Sequence, residues 1–241
     1  MKTIDKVIKQ CFKDTKQYFL MMIVGGFCMT FLIASLVGIV IAPVTMILVV
    51  VGIIKALIYL FEKSLYSEEA MIYQMLPVSA DQIIVSRVFV GMVAIAVFWI
   101  SVFQCILIGF PMVISNMSIN DMVEFVLSLL YKMGMATTIT IAIASVTNLF
   151  FEVTVIFGMV TFMHTTAAAK DNGMVRVAIM LGMLGLLRST AFMLPEIGLF
   201  GGDNSQLKIV LILGVFIVFT TVVGCIMCKL IKNRLENNLQ L

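Results

Sequence analysis

The fold class this sequence predicts is all-α: a polytopic membrane protein with six transmembrane helices, an amphipathic N-terminal interfacial helix and a short cytoplasmic helix between the second and third spans. Three observations predict it. The 241 residues are 62% hydrophobic and 12% charged, with a mean hydropathy of +1.15, whereas a soluble domain is about half apolar and about a quarter charged. Residues 17–54 and 88–120 contain no charged side chain, and each run exceeds the ~20 residues that a helix needs to cross the hydrocarbon core. Finally, Lys and Arg fall into clusters that alternate with the apolar runs, as the positive-inside rule requires.

The first eighteen residues place Ile4, Val7, Ile8, Cys11 and Phe12, with Phe19 beyond them, at helical spacing, opposite Lys2, Lys6, Lys9, Lys13 and Lys16. That pattern predicts an interfacial helix over 1–18, held in the headgroup layer by apolar burial and anionic lipid. A solvated basic tail is the alternative. The apolar run that follows is too long for a signal peptide, and no small-residue cleavage site follows a short apolar core, so it is expected to be retained.

Residues 19–62 hold two spans, about 19–41 and 44–62, because the proline of Ala42-Pro43 lacks a backbone donor and breaks the run. A third span fills 88–113. Asn116, Ser118, Asn120 and Asp121 then mark a loop.

Residues 122–169 accommodate either two short spans meeting near Asn148 or one span preceded by an amphipathic piece. With two, the chain has seven spans and its basic tail falls outside. With one, twelve Lys and Arg lie inside (five in 1–16, Lys63, Arg87, Lys170, Arg176, Lys229, Lys232, Arg234) and only Lys132 and Lys208 outside. The six-span reading follows. Residues 117–169 then hold an external amphipathic piece over 117–132 and the fourth span within 136–169, while 177–230 hold the fifth (177–199) and sixth (208–230). Both termini are cytoplasmic.

The polar stretch 64–87, "SLYSEEAMIYQMLPVSADQIIVSR", interrupts this apolar chain on the cytoplasmic side. Met71, Ile72, Met75 and Leu76 share one face of a short helix that Pro77 ends. Ser79 is placed to cap the third span, with Gln82 three residues on as the reciprocal partner. A short helix with one apolar face, lying along the membrane, is a docking element. An ordinary connector is the alternative.

The passage "YSEEAMIYQMLPVSADQIIVSR" resembles the cytoplasmic loop of six-helix permeases of type-2 ABC exporters, as found in Firmicutes. The resemblance rests on Glu69, Tyr73, Leu76, Pro77, Val78, Ser79, Ser86 and Arg87. That family more often has Thr before the Leu-Pro and Lys at the last position, where Met75 and Arg87 stand here. The likeness extends loosely over the chain, making 1–241 a single permease domain with 63–87 as its coupling segment. It implies that Tyr66, Glu68, Glu69, Met71, Ile72, Tyr73, Met75, Leu76, Pro77, Val78 and Ser79 form an ATPase-coupling loop seated on a separate ATP-binding subunit. It further implies a second permease copy or related chain, export of a peptide or amphipathic compound, and residence in a bacterial cell membrane.

No G-x-x-x-x-G-K-[ST] occurs in the sequence, so ATP and Mg are expected in the partner and no cofactor in this chain. Transport, not catalysis, is the expectation. A single histidine and few polar groups at depth supply no nucleophile, base and orienting group together. Nucleic acid is not indicated, since the formal net charge is only +3. A membrane sensor or scaffold and a secondary transporter are the competing readings, although the sequence shows no inverted repeat of the kind the latter uses.

Ionisable groups at membrane depth cost ~2.5–3.5 kcal/mol on insertion scales and face partners or pathways. Glu152 and Arg188 flank residue 170 symmetrically, so a hairpin folded there brings them to one depth. An ion pair between Glu152 and Arg188 is predicted, either as a structural lock or as a polar site on the path. Lys55 and Glu62 lie seven apart and snorkel toward the cytoplasm. No metal site is expected: His164 has no ligand at suitable spacing, and Cys225 and Cys228, although C-x-x-C, sit in an apolar helix. The 20 Met and 18 Phe residues suit either ordinary packing or an adaptable surface for an amphipathic substrate.

Overall fold

In the computed structural model, residues 2–33, 38–66, 79–104, 134–165 and 205–239 are described, with 120, 121, 124, 127, 128 and 131 between the third and fourth segments. All of these are helical except Ser79 and Gly134. The long elements are α1 (Lys2–Ile33), α2 (Gly38–Ile58), α3 (Ala80–Gln104), α4 (Met135–Thr165) and α5 (Ser205–Leu239). A π-turn (Tyr59–Lys63) and one helical turn (Ser64–Tyr66) extend α2. Four helices are long and apolar enough to cross a membrane: Val44–Glu62, Ala80–Val102, Met135–Phe162 and Val210–Glu236. That is the make-up of a multi-pass membrane protein.

Side-chain contacts fix the directions of the helices. The rings of Tyr18 and Tyr59 lie 6.4 Å apart, and Gly25 meets Val49, so α1 and α2 are antiparallel. Phe12 meets Phe89 edge-on at 6.4 Å, while the Ser101 hydroxyl reaches the Met22 carbonyl at 3.2 Å, so α1 and α3 are parallel. Phe150 packs on Gly224 and Arg234 stands 5.6 Å over the Phe162 ring, so α4 and α5 are parallel too. One end of the bundle, the near end, therefore gathers the starts of α1 and α3 and the ends of α2, α4 and α5.

The helices approach closely where side chains are small. A Cβ on Gly26 would stand 2.7 Å from Ser101 Cβ, and one on Gly52 would stand 2.8 Å from Met22 Cγ. Small residues at crossings let backbones pack when lipid is as apolar as the partner helix. The core of Met22, Ile53, Leu57, Phe61, Ile95, Val153 and Phe157 is built over these crossings.

Three boundaries differ from the sequence-based expectation. First, α1 runs unbroken through residue 18 and, at 32 residues, is about 48 Å long. The stretch 2–18 is thus the first part of a longer helix. The stripe assigned to lipid packs into the protein instead: Val7 and Cys11 are buried, with Ile8 and Phe12 against the same core. Lys6, Lys9, Lys13 and Lys16 remain exposed.

Second, the break between the first two spans falls between Ile33 and Gly38, and Pro43 lies inside α2. So near a helix start, proline removes a single ladder bond, and in apolar surroundings helix continuation keeps the rest satisfied. Third, α3 begins at Ala80, so Asp81 and Arg87 belong to a helix and the polar segment is shorter than 63–87. By contrast, α4 passes through Asn148 without a break, in agreement with one span, not two, in this region. Gly134, at φ 77°, supplies the left-handed residue that ends the preceding helical piece before α4 starts. The expected fifth span and residues 105–119 lie outside the described residues.

Candidate functional site

The near end holds both flanks of the polar segment, Tyr66 at the end of the α2 extension and Ser79 at the start of α3. Ser79 caps α3 as its spacing predicted: the Gln82 amide N–H donates to Ser79 Oγ, and the Ser79 N–H donates to Gln82 Oε1, both at 3.4 Å. This reciprocal arrangement satisfies two donors that a helix start leaves open. Asp81, in the first turn, binds Lys232 of α5 at 2.7 Å.

Beneath this surface, Arg87 is fully buried. It lies two turns into α3, and its Nη1 donates to the main-chain carbonyl of Leu60 in the π-turn. A π-turn shifts the backbone bonds of the ladder by one residue. The guanidinium supplies a donor there. A buried cation is costly unless it is hydrogen-bonded, and this contact gives the guanidinium an acceptor.

The next residue of the π-turn, Phe61, stacks on Phe157 of α4 with ring centroids 4.8 Å apart and 20° between planes. Gly91 of α3 leaves room for that stack: a Cβ there would stand 3.1 Å from Phe61 Cζ and 2.9 Å from Val153 Cγ1. Tyr66, further along the chain, is half-buried against the same core. Burial pushes its phenol above the ordinary 10.0, and the Thr161 hydroxyl and the Arg87 charge pull it part of the way back. The π-turn thus touches α3 through Arg87 and α4 through Phe61.

A second polar group lies within α4. Glu152 is 2% exposed and its Oε1 accepts the Asn148 amide at 2.6 Å. Arg188, its expected partner, lies outside the described residues. So do Glu68, Glu69, Met71, Ile72, Tyr73, Met75, Leu76, Pro77 and Val78 of the expected coupling loop. Lys55 is exposed on α2 and Glu62 partly so. Cys225 and Cys228 carry free thiols, and among the described residues no group of three or more His, Cys, Asp or Glu could hold a metal ion.

Sequence reasoning singled out Arg87 as a motif residue but not as a buried tie, and missed the π-turn with Phe61 and Phe157. The signal for Arg87 was present, since a cation two turns inside a span seldom faces lipid. A one-residue change of helical register leaves no compositional mark. No family model, no curated protein and no solved structure matches the chain.

Proposed function

We propose that this chain is the membrane-spanning permease subunit of an ABC exporter. It moves a peptide or amphipathic compound across a bacterial cell membrane with ATP hydrolysed by a separate subunit. One observation carries the reading: Tyr66 and the capped Ser79, the two residues that flank 67–78, lie at the same end of the bundle. A segment held at both flanks can pass a push from a partner into the helices.

Six spans are part of this reading, and helix directions support them. α4 ends at the near end and the parallel α5 starts at the far end, an arrangement that supports the fifth span expected from the apolar sequence 177–199. Adding α1 gives an even number of spans with both termini at the near end. Lys6, Lys9, Lys13, Lys16, Lys229, Lys232 and Arg234 gather there, so the near end is cytoplasmic by the positive-inside rule. Two permease copies, or this chain with a related one, form the pathway.

The test is affinity purification of the tagged chain in mild detergent, as wild type and as a Glu69→Lys, Leu76→Asp double variant, with mass spectrometry of what comes along. A P-loop ATPase captured by wild type and lost from the correctly inserted variant is the expected result. Absence of any ATPase from wild type would overturn the reading in favour of a stand-alone membrane sensor or scaffold.

A further inference from the structure

We propose that the π-turn Tyr59–Lys63 is the hinge on which the segment after Tyr66 turns, with Arg87 the positioning residue that holds it and Phe61 the side chain that passes its movement to α4. This rests on the reading of that segment as the ATPase-docking element.

Three observations on the described residues converge on the hinge. The turn lies between the last α-helical residue of α2, Ile58, and the start of the polar segment, so any displacement of that segment reaches α2 through it. Its ladder is one residue out of α-register. A π-turn and an α-turn differ by a single shift of hydrogen-bond partners, so a small displacement can convert one into the other. The Arg87 guanidinium, carried on α3 and fully buried, bonds the Leu60 carbonyl; it therefore ties the turn to α3.

The output side is equally specific. Phe61 and Phe157 are both fully buried and stacked at 4.8 Å, and Gly91 of α3 closes on the Phe61 ring edge, where an added Cβ would stand 3.1 Å from Cζ. Packed interiors respond to displacement by moving a neighbour, not by compressing. The neighbour here is α4, which carries the buried pair of Glu152 and Asn148 about one turn above Phe157. A push on the segment is thereby directed to α4.

Hydrogen–deuterium exchange on the complex of this chain with its captured ATPase tests the hinge, comparing the nucleotide-free state with the state trapped by ATP and orthovanadate. In wild type, peptides covering 59–66 and 150–162 are expected to change exchange several-fold between states. Arg87→Lys, a compact charge without the planar fork, should abolish the difference at 59–66 by releasing the turn in both states. Phe157→Leu should keep the response at 59–66 and lose it at 150–162.

Identical exchange at 59–66 in both wild-type states overturns the proposal. So does a wild-type response in Arg87→Lys, or a persisting response at 150–162 in Phe157→Leu. If Arg87→Lys does not insert, the wild-type and Phe157→Leu comparisons still decide. An ATPase that is captured but leaves 59–66 silent sinks the hinge alone, whereas failure to capture any ATPase sinks the docking reading beneath it.

Discussion

Arg87, Tyr66 and Glu152 each set a polar group inside an apolar bundle, and each has a measurable consequence. Arg87→Met retains apolar volume but leaves the Leu60 carbonyl without the guanidinium. Losing a hydrogen bond to a charged group costs about 1.5–3 kcal/mol, so a lower Tm in detergent is expected. For Tyr66, the folded state holds the phenolic proton more tightly than the unfolded chain. Its contribution is therefore fully present below the ordinary phenol value of 10.0 and is lost as pH rises through the higher folded value. Tyr66→Phe should flatten the alkaline fall in stability relative to wild type, as read by unfolding midpoints from pH 8 upward. For Glu152, removing one member of a buried pair costs on the order of 3 kcal/mol. Thermal stability of Glu152→Gln equal to that of wild type would count against the proposed pair with Arg188.

At the scale of elements, helix crossings matter more than surface charge. Gly26→Ala would drive a methyl to 2.7 Å from Ser101 Cβ, forcing α1 and α3 apart at about 1–3 kcal/mol. Ser101→Gly in the same chain should restore part of that loss. The exposed bridge between Asp81 and Lys232 joins α3 to α5, yet exposed pairs contribute under ~1 kcal/mol. Asp81→Asn should accordingly shift Tm little. The amphipathic start of α1 shows how an element can be read correctly and placed wrongly. Its period of Val7, Ile8, Cys11 and Phe12 is helical as expected, but periodicity says only that one face is apolar. The ends of neighbouring helices, not lipid, cover that face.

For the molecule as a whole, helix direction imposes topology. Tags on both termini should be protected or cleaved together in sealed vesicles, and a cysteine placed at the exposed Asp121 should label from the opposite side. Labelling of that cysteine from the side of the termini would remove the six-span topology. The capping of α3 by Ser79 and the passage of α4 through Asn148 agree with the charge-based choice of one span after residue 122. Positive-inside counting and helix direction are independent arguments that meet at that point.

By itself, the sequence determined that this chain is helical, that it is built for a bilayer, and where its polar segment and helix cap fall. Those properties belong to single residues and short windows: hydropathy, charge, a capping side chain, a proline. Only the tertiary structure decided that the α1 stripe faces protein, that Arg87 ties a π-turn, and that Phe61 meets Phe157. In a chain where nearly every face is apolar, hydropathy does not distinguish a lipid neighbour from a helix neighbour. The choice rests on which surfaces interlock, and that is a property of pairs of helices.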